Sequence, residues 1–360
     1  MRDKVMEEKY QYSTRSRGQT AETGPETESK TESGTGPGTA PLVSVSCITF
    51  NHGQYLRDAL EGFLGQKTSF GIEILVHDDA SEDNTIDILR EYTEKYPEIM
   101  RPMYEEQNQY SRGISNISGV FNFPRARGKY IAMCEGDDFW SDPEKLQKQV
   151  DYMEAHPECA MCCHAAGIVA MDGAFRSESE LRPFAGSREL KPEEVISKKI
   201  NIPTASLLFR TEYVKELPQW YFDCPVGDIP LHLHLLRCGS IYYFDEVMSM
   251  YRMGREGSWG ESMDSEQAKE KWEKHYAAMK ELYEAFDKET DGAYAPAIAE
   301  CVHRNRFLID LKEGRIESVL SPVNADFLQE LPETERKLLL LRAKHPGLYD
   351  MLRRIYRIFR

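Results

Sequence analysis

Three short β-branched and apolar runs, Val43–Thr49, Ile72–His77 and Tyr130–Cys134, constrain the fold of this chain more than any other feature. Their Val, Ile and Tyr content favours strands. The segments between them have a different period. Leu56, Leu60, Phe63 and Leu64 recur at helical spacing, as do Ile86, Leu89 and Tyr92 after the opening Asp83-Asn84-Thr85. That second helix closes before Pro97, a third short strand is expected near Met100–Tyr104, and a polar loop and helix fill Asn108–Arg127. Strand and helix in alternation predict an α/β fold with a parallel sheet and right-handed crossovers. Two of the strands end on the same edge in acidic loops, Asp78-Asp79 and Glu135-Gly136-Asp137-Asp138. Ligands of open α/β sheets bind at that edge.

Clustered carboxylates repel one another and lose solvation unless a cation lies among them. A hard divalent ion, Mg²⁺ or Mn²⁺, suits oxygen ligands and commonly also holds substrate phosphates. Gly136 permits a tight turn and a close approach. The plainer reading is a solvated acidic turn that caps the next helix, and Asp142-Pro143 has the form of an N-cap followed by proline. That cap accounts for Asp142 but not for Glu135, Asp137 or Asp138.

Composition removes other classes. A formal charge of −15 argues against a nucleic-acid partner. Eight cysteines without a secretory leader imply reduced thiols in a cytosolic protein. No apolar run reaches the roughly 18–20 residues of a membrane span, and no internal repeat is evident. Residues 1–40 are rich in Ser, Thr, Gly, Pro and Glu and nearly free of aliphatic side chains, which predicts a disordered tail.

Taken together, Val43 to Asn51, Ile74 to Asn84 (ILVHDDASEDN) and Gly128 to Asp138 (GKYIAMCEGDD) resemble the nucleotide-binding half of family 2 glycosyltransferases. The resemblance implies a GT-A fold, with a nucleotide-binding mixed sheet flanked by helices. It further implies that Thr49, Phe50 and Asn51 contact the nucleotide, that Asp78 accepts a hydrogen bond from the base, and that Asp137 lies near the ribose and diphosphate. Asp138 is then the principal metal ligand, with Asp137 beside it. Glu135 stands where the family usually has Asp and keeps a carboxylate. Asp79, Ser81 and Asp83 are read instead as turn and cap residues.

Beyond the motif, Pro143–His156 reads as a helix with Leu146, Val150 and Met153 inward. Cys159–His164 reads as a buried strand, because it lacks the second cysteine pair of a zinc site and the His spacing of a haem site. Residues 171–199 look irregular, and Pro203–Arg210 returns to strand character. The family places its catalytic base after this strand, and only Asp228 matches, between Gly227 and Ile229. A base is required because the acceptor hydroxyl loses a proton as it attacks. The alternative role of Asp228 is to cap the helix that starts near Pro230. His232 and His234 are left as helix surface and interior. Ile241–Phe244 and Val247–Arg252 are expected as a hairpin or edge strands. Within the family's basic motif near the diphosphate only Arg252 is present, the usual histidine being absent. Ser258-Trp259 follows in a Gly-rich loop, of a kind that can fold over a substrate.

This divides the chain into a tail over 1–40, a glycosyltransferase domain over 41–260 (nucleotide half 41–140, acceptor half 141–260) and a helical C-terminal region over 261–360. At its end, Leu348, Met351, Leu352, Ile355 and Phe359 share a face, with Arg353, Arg354, Arg357 and Arg360 around it. Such a helix contacts an anionic membrane or docks on the acidic body of its own protein. The expected function is inverting transfer from a nucleotide sugar, a UDP-sugar, to a glycan, lipid-linked or other hydroxyl acceptor in polysaccharide synthesis. Its place is the cytoplasm or the inner face of the membrane. A sugar-phosphate nucleotidyltransferase would need a basic Gly-rich loop where Phe50-Asn51-His52-Gly53 stands. A non-catalytic nucleotide-sugar-binding protein would lack Asp138 or Asp228, and both are present.

Overall fold

The computed structural model describes residues 40–169, 175–197, 200–253, 268–349 and 351. The tail over 1–39, the loop containing Ser258-Trp259 and the last nine residues lie outside them. The chain divides into two compact units, Met1–Ser258 and Trp259–Arg360.

The first unit is built on one mixed sheet. Strands β1 (Val43–Thr49), β2 (Ile72–Asp78), β3 (Met100–Tyr104) and β4 (Tyr130–Met133) run parallel, with β1 between β2 and β4. Helix α1 (Leu56–Leu64) buries Leu56, Ala59, Leu60 and Phe63, and α2 (Thr85–Lys95) buries Ile88, Leu89 and Tyr92. These helices cover the face that carries Val43, Val45, Cys47, Ile74 and Val76. A fully buried Leu or Phe contributes about 1.5–3 kcal/mol, so this layer sets the register of the strands. Alternation sends Ser44, Ser46, Glu73 and His77 to the other face. There Ser44 Oγ donates to Glu73 at 2.7 Å, Arg127 pairs with Glu73 at 2.6 Å, and Asn122 Nδ2 donates to Ser46 Oγ at 3.1 Å. The helix expected within Asn108–Arg127 is a π-helical turn, Ser118–Asn122, running into a 3₁₀ turn, Phe123–Arg125. Pro124 cannot donate to a regular α-helical ladder.

After β4 come β5 (Phe139–Trp140), α3 (Lys145–Ala155), β6 (Cys159–Val169), β7 (Phe175–Leu181), β8 (Arg188–Glu189) and α4 (Pro192–Ile196). Leu146, Val150 and Met153 of α3 point inward, and every residue of β6 is buried, so its cysteines are core side chains. The stretch expected to be irregular over 171–199 thus holds two strands and a helix in its described part. Strand β9 (Leu208–Arg210) is shorter than the run from Pro203, because Thr204–Ser206 forms a 3₁₀ turn in which Ser206 Oγ donates to Pro203 O at 2.6 Å. Then follow α5 (Gln219–Asp223), α6 (Asp228–Cys238) and β10 (Ser240–Arg252). The residues expected as a hairpin or edge strands form one continuous β10 inside the sheet, parallel to β6 with register shifts at Phe244/Val247 and Val247/Ser249. The sheet order is β3-β2-β1-β4-β9-β6-β10-β5, with β7 on β6 and β8 on β10.

The second unit is helical: α7 (Ala268–Glu289), α8 (Ala295–Glu313), α9 (Ile316–Val319), α10 (Ala325–Glu330) and α11 (Glu333–Lys344). Gly314, at φ 71°, ends α8 in the left-handed region that glycine adopts without strain. Phe307, Val319, Phe327 and Leu339 form a small core. Trp272 and Tyr276 of α7 are half-buried under cations, Lys312 at 3.5 Å and Arg306 at 5.4 Å from the ring centres. Among the described residues no helix is long and apolar enough to cross a membrane.

Candidate active site at the carboxyl edge of the sheet

Strand direction brings the acidic loops together. β9 is antiparallel to both β4 and β6, and β10 is parallel to β6, so β1, β2, β4 and β10 all end on one edge. α6 must deliver the chain to the opposite edge, where β10 begins. Eleven helical residues span about 16 Å, and Asp228 is the first of them.

The loop after β1 interlocks with the loop after β2. Asn51 sits at φ 53°, which Asn tolerates better than most residues. Its N–H donates to Ser81 Oγ at 2.9 Å and its Oδ1 accepts from the Glu82 N–H at 2.8 Å. Gly53 N–H donates to Asp83 at 2.9 Å, and Asp79 N–H donates to Thr49 O at 2.9 Å. The Phe50 ring stands exposed beside them. Asp78 is fully buried, and its two oxygens accept from the Ser81 N–H at 3.1 Å and Ser81 Oγ at 2.5 Å. Burial pushes its carboxyl up, opposed by the two Ser81 bonds. The turn-building role expected of Asp79, Ser81 and Asp83 therefore extends to Asp78. Asp79 holds the following loop, accepting from Gln109 N–H at 2.7 Å and Tyr110 N–H at 3.1 Å.

The loop after β4 is packed under the first. Gly136 N–H donates to Ile48 O at 2.9 Å, and a Cβ at this position would stand 3.0–3.1 Å from His52 Nδ1 and Thr49 Oγ1 and Cβ. His52 Nε2 lies 3.7 Å from Asp137 Oδ2. Asp138 is only 3% exposed, and its Oδ1 accepts from the backbone N–H of Arg252 at 2.8 Å. Burial, then the charges of Asp137 and Glu135, push the Asp138 carboxyl well above the usual carboxylate range. The Arg252 guanidinium donates to Asp137 O at 2.8 Å and to Asp58 Oδ2 at 3.0 Å, 4.6 Å from the Tyr55 ring centre. His52, Tyr55 and Asp58 escape the sequence reading. His52 directly follows Thr49-Phe50-Asn51 and was open to inspection. Asp58 bears no local mark.

A second cluster holds the approach to Asp228. Asn116 Nδ2 donates to Tyr221 O at 2.6 Å and Cys224 O at 3.1 Å, and Ser115 Oγ donates to Cys224 O at 2.7 Å. Gly119 lies against Tyr221, whose ring and hydroxyl atoms are 2.5–2.9 Å from where a Cβ would stand. Asp228 is exposed, and Gly227, not Asp228, occupies the N-cap of α6, where no side chain caps the helix. His232 and His234 are both buried, His234 against Tyr213 O at 2.6 Å, so the surface position expected for one of them is absent.

Residues 44–216 match the family model described as Glycosyl transferase family 2. The uncharacterized protein Rv1520 of Mycobacterium tuberculosis is 32% identical over 314 residues, 84% of this chain and 80% of that one. The chain belongs to glycosyl transferase family 2. A shorter relative of this glycosyltransferase is TuaG of Bacillus subtilis, named for teichuronic acid biosynthesis, 34% identical over 133 residues, 37% of this chain and 50% of TuaG. Among solved structures, S. aureus TarS 1-349 in complex with UDP-GlcNAc superposes with a TM-score of 0.55 at 18% identity, covering 88% of this chain and 92% of that one. That likeness establishes the GT-A fold.

Among the described residues of the glycosyltransferase, no set of three or more His, Cys, Asp or Glu side chains is gathered to hold a metal ion by itself. The donor chemistry nonetheless fits Mg²⁺ or Mn²⁺. Such ions take one or two carboxylates and complete their shell with water and substrate phosphates. Asp137 and Asp138 are adjacent carboxylates, and the burial and mutual repulsion that disfavour ionised Asp138 are what a cation offsets.

Proposed function

We propose that this glycosyltransferase moves a sugar, with inversion, from a UDP-sugar to an acceptor hydroxyl in the synthesis of a cell-surface polysaccharide or glycan. The observation that carries the reading is the pair of carboxylates Asp137 and Asp138 just beyond the carboxyl end of β4, with Asp228 exposed at the start of α6. In this reading Asp137 and Asp138 would hold a divalent ion, which would supply charge neutralisation to the departing diphosphate. The Thr49–Asn51 turn and Asp78 frame the nucleotide, Asp78 through the loop it builds with Ser81. Asp228 takes the acceptor proton. The acceptor oxygen bonds to the anomeric carbon, the bond from that carbon to the diphosphate breaks, and the nucleoside diphosphate leaves. One carboxylate suffices, on the face opposite the leaving group. The UDP-GlcNAc of the TarS complex supports a uridine donor, and the name of TuaG supports a polysaccharide product. All eight cysteines are free thiols, seven of them buried, which fits a reducing cytoplasm.

The test is a panel of nucleotide sugars scored for donor hydrolysis and thermal stabilisation with Mn²⁺. We expect Asp138→Ala to abolish metal-dependent nucleotide binding. Asp228→Asn should lower turnover by about 10²–10⁴-fold with donor affinity nearly unchanged. Binding of UDP that ignores chelator, or an Asp228→Asn enzyme of normal turnover, would overturn the metal or the base assignment respectively.

A further inference from the structure

The helical unit contains a cleft of its own. About 460 Å³ opens between α8, α9 and the 3₁₀ turn Pro322–Asn324, within the roughly 300–1,000 Å³ usual for small-molecule sites. Its buried polar groups are already bonded. Asp310, 4% exposed, accepts from Arg306 Nε at 2.9 Å, from Arg315 Nη1 at 2.9 Å and from Ser318 Oγ. The other N–H groups of Arg306 are turned to Asp310 and Glu273. Asn324, also 4% exposed, donates through Nδ2 to Ser318 O at 2.7 Å, and its Oδ1 lies 2.7 Å from His303 Nε2. The Ser318 carbonyl can only accept, which fixes the amide and with it the imidazole. Nε2 carries the proton, and the lone pair of Nδ1 is left over. Three polar groups on the lining have no partner among the described residues: His303 Nδ1, the Ser321 hydroxyl and the Glu317 carboxylate. Val323 of the same lining is 70% exposed, over the buried ring of Phe307.

That set selects among ligands. A phosphate or carboxylate needs charged N–H donors, and those of Arg306 are spent while Glu317 repels an anion. A metal ion needs several ligands, and no set of three or more His, Cys, Asp or Glu is gathered among the described residues. An ammonium would meet Glu317 but would leave Val323 against a charge. A neutral sugar fits both kinds of group. Its hydroxyls donate to the carboxylate and the imidazole nitrogen and accept from the serine, and its C–H face covers the valine. From the fixed tautomer of His303, the unspent acceptors and the exposed valine together we infer that this cleft binds a neutral saccharide, a segment of the glycan the enzyme extends. The identity of that glycan rests on the proposed acceptor class, but the cleft uses none of the residues assigned to the donor, the metal or the base.

The test titrates full-length protein, without donor or metal, with neutral malto-, cello-, manno- and chito-trisaccharides. Binding is read by ligand-observed NMR and calorimetry, with spermidine and inorganic phosphate as controls. At least one trisaccharide is expected to bind with a Kd of about 10 mM or tighter, and neither control. Glu317→Ala/Val323→Asp changes exposed side chains only, and His303→Gln removes the free ring nitrogen. Each should weaken saccharide binding by at least about tenfold, the first at an unchanged melting temperature. If His303→Gln fails to fold, the exposed pair decides alone. Absence of saccharide binding, or binding that the exposed pair leaves untouched, overturns the inference. So does binding of spermidine or phosphate that the exposed pair abolishes. Saccharide binding lost in Asp228→Asn and kept in both cleft variants assigns the sugar to the transfer centre instead. Because neither donor nor metal is present, failure of the metal assignment or of Asp228 as base leaves this result unchanged.

Discussion

Lys145 shows how far one residue departs from its usual chemistry. It lies on α3 with no exposed surface, donates to Gln149 Oε1 at 2.7 Å, and stands 4.2 Å from the Trp140 ring centre. Burial pulls its pKa down to about 7, with Cys162 and Cys134 acting weakly the other way. Below its unfolded value near 10.5 the unfolded chain binds this proton more tightly than the folded one. The lysine therefore contributes less stability at pH 7 than at pH 10, and the slope lies between those values. The penalty at pH 7 is on the order of 4 kcal/mol, partly retained on substitution because Gln149 loses its donor. Lys145→Met is expected to raise the melting temperature at pH 7, and the gain should shrink toward pH 10. A gain independent of pH, measured by calorimetry across that range, would mean that the folded protein keeps the lysine's proton as tightly as the unfolded chain does.

At the scale of elements, β10 carries more of the site than any local pattern implies. Its last residue, Arg252, joins the loop after β4 to α1 through Asp137 O, Asp138 and Asp58. Those bonds go to protein groups, so we expect Arg252 to act as a strut and not as a diphosphate ligand. Arg252→Lys and Asp58→Asn should each lower turnover and melting temperature, and the double variant should lose less than the sum. Residues in one network typically couple by about 0.5–3 kcal/mol. Strict additivity, or a raised donor KM for Arg252→Lys at unchanged melting temperature, would return Arg252 to the donor site. The segment Ser115–Asn122 acts similarly for α6, since Asn116 and Gly119 seat the chain at Tyr221–Cys224 just before Asp228.

For the whole molecule, the two units answer to different physics. The first is held by a sheet with an apolar helical layer, and the second by apolar side chains buried along its helices, among them Leu282, Phe286, Ile298, Phe307 and Ile309, with ion pairs that include Arg306–Glu273, Arg315–Glu273 and Arg304–Glu330. Exposed pairs contribute about 0–1 kcal/mol each, so the second unit depends on the apolar side chains that its helices bury. The N-terminal stretch is poor in apolar side chains, Val5 being its only Val, Ile or Leu up to residue 40. A chain beginning at residue 40 is expected to melt within about 1 °C of the full chain and to keep its turnover. A drop of several degrees in differential scanning calorimetry would show that the tail packs on the body.

The sequence by itself determined the strands β1, β2 and β4, the helices between them and the acidic loops at their ends. Each depends on a local period and on residues within a few positions of one another. It also determined that Cys159–His164 is a buried strand, because free cysteine behaves as a small hydrophobe. Only the tertiary structure decided that β10 lies parallel to β6, that β9 separates β4 from β6, and that Arg252 ends beside Asp138. Those pairings join segments about 40–115 residues apart, and parallel strands need no complementary turn that could announce them. The same holds for Asp78, whose carboxylate is drawn to Ser81 by a turn that leaves the motif unchanged on paper. Side-chain commitments of that kind depend on burial, and burial is a property of the folded neighbours, not of the residue.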